Sequence, residues 1–467
     1  MITLSKIVLT GTLALSITSS YSQKKGTADV WLTNADQSAL FAKQAQPLVF
    51  SKNSGNDSTI VVDAKQTYQS IDGFGFTLTG GSAQLMMKMT PAARKALIQE
   101  LFATDGRNIG ISYLRVSIGA SDLNEFVFSY DDLPAGQTDP TLTKFNLGPD
   151  KKDVVPVLKE ILAVNPKIKI LGSPWSAPVW MKTTGDTRGG SLKPDCFDVY
   201  ARYLVKYIKA MKAEGIPVDA ITVQNEPLHP GNNPSMLMLA PDQAQFVKAN
   251  LGPAFKTAGL KTKIIIYDHN CDKPEYPISI LNDPDAKKYI AGSAFHLYAG
   301  KIEALSEVHN AHPDKAVYFT EQWMGTPANF KRDISSHITK LTIGATRNWS
   351  RTVIEWNLAA DPNSNPHTDR GGCSSCMGGI TIDNDNVMRN PAYYVVAHAA
   401  KFVRPGSVRI ATNMVTDLPN VAFRTPDGKT VLIVINNGTA ASNFNINYKG
   451  TTAKAGLAAG SVATYIW

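Results

Sequence analysis

Ile221-Thr-Val-Gln-Asn-Glu-Pro227 decides how the rest of this 467-residue chain is read. Ile221 and Val223 follow Ile216, Val218 and Ala220, so apolar residues dominate until Gln224, Asn225 and Glu226 come together and Pro227, which has no N–H, stops further pairing. This is the pattern of a buried strand that runs into a polar end and leaves a carboxyl facing whatever lies above the sheet. Val317-Tyr-Phe-Thr-Glu-Gln-Trp323 repeats it, again ending on a glutamate before turn residues.

Outward from these two stretches the chain has a rhythm of short apolar run, turn and helical pattern. Runs at 71–76, 111–118, 168–175, 218–224, 264–268, 294–298, 317–321 and 353–358 make eight strands. Helical patterns fall between them at 91–102, 153–162, 197–213, 242–258 and 334–347, the first with Thr90 as N-cap ahead of Pro91. Eight strands alternating with helices predict an α/β fold, a closed (β/α)8 TIM barrel over 68–402. After a last helix at 392–402 only strands follow, at 408–411, 421–424, 431–436, 444–448 and 462–467, with Pro426-Asp-Gly428 as a hairpin turn. Two more strands, 29–32 and 59–64, cannot bury a face alone. The expectation is an appended β-sandwich built from both chain ends, 24–67 and 403–467.

Lys6 and the apolar run 7–17, followed by small and polar residues, read as an export signal over 1–22, too short to span a bilayer. The first cysteine is Cys196, so the lipid-attachment cysteine of a bacterial lipoprotein is missing. The expected product is a periplasmic or secreted monomer that is not lipid-anchored and has no membrane span. The formal charge of +8 comes from scattered Lys and Arg without a basic, aromatic-interleaved cluster, which argues against a nucleic-acid partner. Cys373 and Cys376 sit in Gly371-Gly-Cys-Ser-Ser-Cys-Met-Gly-Gly379. A zinc site would add His367 and Asp369, but one C-x2-C with one histidine is a weak metal signal, and an oxidising compartment favours a local disulfide. Cys196 and Cys271 read as free buried thiols.

Catalytic groups of such barrels sit at the C-terminal ends of strands, which is where Glu226 and Glu321 fall. Two carboxyls facing one glycosidic bond divide the work, one protonated as general acid and the other ionised to attack the anomeric carbon, provided their surroundings separate their pKa values. No metal or cofactor is needed. A non-catalytic carbohydrate-binding protein would keep the tryptophans and lose a carboxylate, and both glutamates are present.

The chain resembles glycoside hydrolase family 30, which includes the glucosylceramidases and the bacterial and fungal β-1,6-glucanases. The likeness rests on Gly73-Phe-Gly75, Arg115-Val with Asp122, Ser173-Pro-Trp-Ser-Ala-Pro-Val-Trp180, Gln224-Asn-Glu-Pro227, Phe295-His-Leu-Tyr298, Thr320-Glu321, Trp356-Asn-Leu358 and Lys401-Phe-Val-Arg-Pro-Gly406. The resemblance implies that Glu226 is the acid/base and Glu321 the nucleophile of a retaining double displacement. It further implies that Asp122, Trp175, Asn225 and Trp356 hold the sugar, with His296 and Tyr298 beside the nucleophile. Trp180 reads as packing. Where glucosylceramidases carry a Gly-Gly-Pro-Asn-Trp type segment, this chain has a loop over 361–376 similar to the β-1,6-glucanase branch, with His367 and Arg370 expected at the substrate and the Cys373–Cys376 bond on the leaving-group side. The resemblance therefore implies an endo-β-1,6-glucanase acting on β-glucan, with a glucosylceramidase or β-glucosidase as the alternative.

Overall fold

The computed structural model describes residues 26–52, 55 and 57–467, and the expected export segment lies outside the described residues. Two long strands, β1 (Thr27–Thr33) and β2 (Thr59–Ser70), come first, with the two-residue strands Ala42–Lys43 and Leu48–Val49 between them pairing with β1. Eight parallel strands then close a barrel: β3 (Gly73–Leu78), β4 (Tyr113–Ser117), β5 (Lys169–Ser173), β6 (Ala220–Thr222), β7 (Lys263–Cys271), β8 (Ile290–Gly300), β9 (Ala316–Glu321) and β10 (Ser350–Asn357). Each pairs with its neighbour in sequence, and β10 returns to β3 through Val353↔Phe74. All eight coincide with the expected runs. β6 is shorter than its run, because Gln224 and Asn225 leave the ladder to bond β5's exit: Gln224 Nε2 donates to the Trp175 carbonyl at 2.7 Å and Asn225 N to that of Pro174 at 2.8 Å.

Side chains alternate across a strand, so every second residue points into the barrel. One interior layer is apolar: Tyr113, Leu171, Ala220, Ile265, Ala294, Tyr318 and Ile354, one from each of β4 to β10. Two residues further along, the strands place Arg115, Ser173, Thr222, His296, Thr320 and Trp356, all buried. On β7 the count breaks. Ala294 pairs with Tyr267 but Phe295 with His269, a bulge in which Tyr267 (φ 72°) and Asp268 (φ 65°) are left-handed. The extra residue turns Asp268, not Tyr267, into the polar layer, at a cost of about 1–3 kcal/mol of backbone strain per left-handed residue. The C-terminal mouth of the barrel is thus polar for a reason visible in strand periodicity.

Strands β11 (Val408–Thr412), β12 (Asn420–Arg424), β13 (Thr430–Ile435), β14 (Ser442–Tyr448), β15 (Thr451–Leu457) and β16 (Val462–Ile466) follow the helix Pro391–Ala400. They form one sheet with the N-terminal strands, in the order β1-β16-β13-β12-β11-β2-β14-β15, the short strand Ala42–Lys43 lying on the outer edge of β1. Its core gathers Ile60, Val62, Ile410, Leu432, Val434, Phe444, Ile446 and Tyr465. β15 has no counterpart in the expected strands, since its Thr, Ala, Lys and Gly residues carry little apolar signal. β2 runs on to Ser70, which pairs with Val408, so the chain crosses the expected 67/68 boundary inside a strand. At the seam between barrel and sheet, His398 sits between Thr464 on β16 and Thr33 on β1, at 2.8 and 2.9 Å. Among the described residues no helix is long and apolar enough to cross a membrane.

Candidate active site

Glu226 follows β6 in a left-handed conformation (φ 44°), its N–H donating to the Asp268 carbonyl at 3.0 Å and its own carbonyl accepting from His229 N at 2.9 Å. The turn lifts the Glu226 side chain over the mouth. Glu321 ends β9 across the barrel. Both line a pocket of about 260 Å³ together with Asp122, Trp175, Tyr298, Trp356 and the Cys373–Cys376 pair. Trp175 and Trp356 lie against each other with ring centroids 5.4 Å apart.

Beneath the pocket floor lies a charged lattice. Arg115, wholly buried, donates from Nη1 to Glu321 Oε2 at 2.6 Å and from Nη2 to Asp268 Oδ2 at 2.8 Å and Asn225 Oδ1 at 2.6 Å, with its guanidinium carbon 4.7 Å from the Trp175 ring centre. Asp268 also accepts from Ser173, Thr222 and Thr320 hydroxyls at 2.6–2.8 Å, and these donors with Arg115 and His296 outweigh burial and hold its carboxyl well below the usual range. His296 lies 3.1 Å from Glu226 Oε1 through Nδ1 and 3.1 Å from Asp268 Oδ1 through Nε2, with Glu321 Oε1 3.8 Å from Nδ1. Burial disfavours its charge, yet the surrounding carboxylates outweigh burial and raise it to about 9. Glu226, His296 and Glu321 each offer an atom within 4.8 Å of the others, the spacing of a metal site. With a carboxylate at each ring nitrogen His296 is an imidazolium and has no lone pair to give a metal.

The two glutamates differ in their partners. Glu321 Oε2 accepts from Arg115 and Oε1 from the Tyr298 hydroxyl at 2.9 Å, whereas Glu226 Oε2 has no partner among the described residues. Burial and the charge of Glu226 push Glu321 up, while His296 overcomes burial at Glu226 and holds it down. The two surroundings therefore differ, Glu321 being raised and Glu226 lowered, while both oxygens of Glu321 accept hydrogen bonds from Arg115 and Tyr298. Asp122 is pushed up to about 7 by burial and the two glutamates, partly offset by the Cys373 N–H that its carboxylate accepts.

Of the sequence-predicted residues, Glu226, Glu321, Asp122, Trp175, Trp356, Tyr298, Asn225 and His296 come together here. His367 and Arg370 do not: Arg370 is half exposed and its guanidinium is taken by Asp186 and Thr187 at 3.0–3.2 Å, and His367 Nδ1 lies 3.1 Å from the Thr368 carbonyl. Cys373 and Cys376 are disulfide-bonded and pack with Trp175, Trp356 and Leu123 as part of the pocket wall. The loop thus borders the pocket, as expected, and Thr368 N, bonded to the Asp122 carbonyl at 2.9 Å, draws it inward. Arg115 entered the sequence reading only as part of a matched motif and Asp268 only as the end of a run, neither with a role; the signal that finds them is a charge within or closing an otherwise apolar run. His229, Asn232, His269, Asn270 and Trp323 also border the pocket.

A pair of facing carboxyls at strand ends, in an aromatic pocket at the C-terminal mouth of a (β/α)8 barrel, defines a glycosyl hydrolase. Residues 71–403 match the glycosyl hydrolase family 30 TIM-barrel domain and residues 406–465 its beta sandwich domain, and the chain belongs to that family. It is similar to the endo-1,6-beta-D-glucanase neg1 of Aspergillus fumigatus, 34% identical with 89% of each chain covered. The lysosomal acid glucosylceramidase of Mus musculus is 29% identical over 89% of this chain and 85% of its own. Among solved structures, the endo-beta1,6-glucanase BT3312 superposes with a TM-score of 0.88 at 34% identity, covering 95% of this chain and 99% of that one.

Proposed function

We propose that this chain is an endo-β-1,6-glucanase that retains anomeric configuration. The observation that carries the reading is the short reach between the pair, with one oxygen of Glu226 and one of Glu321 within 4.8 Å. Inverting enzymes hold their carboxyls about 6.5–9.5 Å apart to leave room for a water, and retaining ones about 5–5.5 Å apart. In this reading Glu321 attacks the anomeric carbon as the bond to the leaving sugar breaks, and Glu226 gives its proton to the departing oxygen. Glu226 then takes a proton from water, whose oxygen displaces Glu321 from the glycosyl ester.

In this reading His296, whose Nδ1 lies 3.1 Å from Glu226 Oε1 and 3.8 Å from Glu321 Oε1, links the two carboxyls. A bound sugar presents its glycosidic oxygen to the unpartnered Glu226 Oε2, which favours the proton there, and Arg115 and Tyr298 stabilise the Glu321 anion. Asp122 and Asn225 serve the sugar hydroxyls and the Trp175–Trp356 pair its apolar face. The polar loop around 361–376 and the similarity to endo-1,6-glucanases favour β-1,6-glucan over a glucosylceramide. An exported monomer suits a polymeric substrate.

The test is product analysis on linear β-1,6-glucan beside glucosylceramide. Expected are gluco-oligosaccharides from the polymer and slow turnover of the lipid; preference for the lipid at matched concentration overturns the substrate. Glu321→Gly should lose at least about 10³-fold in turnover and regain cleavage of an activated glycoside with added azide, giving inverted product.

A further inference from the structure

A groove of about 760 Å³, larger than the pocket that holds the glutamates, lies beside that pocket. Three chain segments pass from one cavity to the other within two residues: Ala120 lines the groove and Asp122 the pocket, Ser176 the groove and Trp175 the pocket, Pro234 the groove and Asn232 the pocket. The partition is therefore a single layer of chain. It is also well braced. Asn233, buried, accepts from the Thr187 hydroxyl at 2.7 Å, donates to Asp369 Oδ1 at 2.9 Å, and its carbonyl accepts from Thr368 Oγ1.

The groove's chemistry is that of a neutral, hydroxyl-rich ligand. Trp180 lines it, half-buried, with its indole N–H fixed on Asp131 Oδ2 at 3.0 Å, so the ring is held in one orientation. Thr138, Thr183 and Thr184 hydroxyls and the exposed backbone of the loop around Ala135 surround it. The charged side chains that line it are already engaged: Lys182, 1% exposed, donates to the Thr187 and Ser235 carbonyls, both at 2.8 Å, Lys193 Nζ donates to the Trp180 carbonyl at 3.0 Å, and Asp132 accepts from the Ser129 N–H and hydroxyl at 2.8 and 2.6 Å.

We infer that this groove binds further glucose units of the same β-1,6-glucan chain that is cut in the pocket, with Trp180 as its stacking platform. The inference rests on the proposed glucanase reading. A pocket of 260 Å³ beside a groove of 760 Å³ places most of the ligand-binding space outside the reacting sugar, so the length of the chain, and not the cleaved unit alone, sets the efficiency of cleavage.

The experiment is a series of β-1,6-linked gluco-oligosaccharides of two to six units and an aryl β-glucoside, run on the full chain, on Trp180→Ala and on Ala135→Trp. Wild type should gain at least tenfold in kcat/KM from dimer to pentamer. Both variants should lose most of that gain while the aryl glucoside stays within twofold. Ala135→Trp fills the groove from an exposed loop and removes no contact, so it decides the matter if Trp180→Ala fails to fold. A wild type that cleaves every length equally, or an Ala135→Trp enzyme that keeps the full gain, overturns the groove. A wild type that cleaves none of the oligosaccharides overturns the glucanase reading instead.

Discussion

His296 in the barrel mouth and His398 at the seam with the sandwich are both shut off from solvent, yet the two regions treat one side chain in opposite ways. Carboxylates flank both nitrogens of His296 and outweigh burial, raising it to about 9. His398 meets two threonine hydroxyls, and burial alone pushes it down to about 3. The Thr464 hydroxyl donates to the His398 carbonyl at 3.1 Å, so Nδ1 must donate to Thr464 and Nε2 accepts from Thr33, a neutral tautomer fixed by its partners. Burial does not decide ionisation by itself; the acceptors built around the group do. The mouth stores charge for chemistry, and the seam stores polarity to clasp the first strand to the last.

The most severe way to break the contrast is to remove the mouth's permanent cation. Arg115→Met leaves Asp268 and Glu321 buried without their counter-charge, so activity should vanish and stability fall by about 3–5 kcal/mol in urea unfolding. A loss below 1 kcal/mol would show that the lattice is not held by Arg115.

A smaller effect sharpens the comparison through pH. His296, with a folded pKa near 9 above its usual 6.5, adds stability that is full below about 6.5 and lost as pH rises through 9. His398, depressed to about 3, adds stability that is full above about 6.5 and is lost as pH falls toward 3. Melting should therefore decline on both sides of neutrality, the mouth giving way on the alkaline limb and the seam contributing on the acid one. His398→Leu should cost about 1–2 kcal/mol at neutral pH, keep activity within twofold, and flatten the acid limb. The flattening is partial, because burial also lowers His269 to about 4. An unchanged acid limb would mean that His398 takes up its proton without loss of the seam.

The smallest effect belongs to the disulfide. Changing Cys373 and Cys376 to Ser opens a ring closed across a sequence separation of 3, worth at most about 2 kcal/mol. Because the bond is part of the pocket wall beside Trp175 and Trp356, activity should drop a few-fold and equally on polymer and aryl glucoside. A loss confined to the polymer would mean that the bond acts on the leaving group alone.

Strand periodicity made the barrel legible, since every strand is an apolar run and Glu226 and Glu321 interrupt two of them at their ends. The helix Gly80–Lys88 was not, because its opening glycines argue against helix; they are there because a Cβ at Gly80 would lie 1.9 Å from Asn124 Nδ2. Arg115 and Asp268 stayed silent for a related reason. Their value depends on β4 and β7 facing each other across a closed barrel and on a one-residue bulge, neither of which a linear pattern contains. Arg370 failed in the other direction: its neighbours in sequence border the pocket, but Asp186 from a distant loop claims its charge.

The pairing of Asp29 with Ile466 ties the beginning of the described chain to its end. A ribosome adding about 5–20 residues per second needs on the order of half a minute or more to traverse that separation. Through that interval the edge of β1 that β16 will cover stays open, and every strand of the barrel is made before β16 appears. The barrel can assemble early and the sheet can close only last, so a nascent chain of this enzyme must carry its first strand as a liability until synthesis is nearly finished.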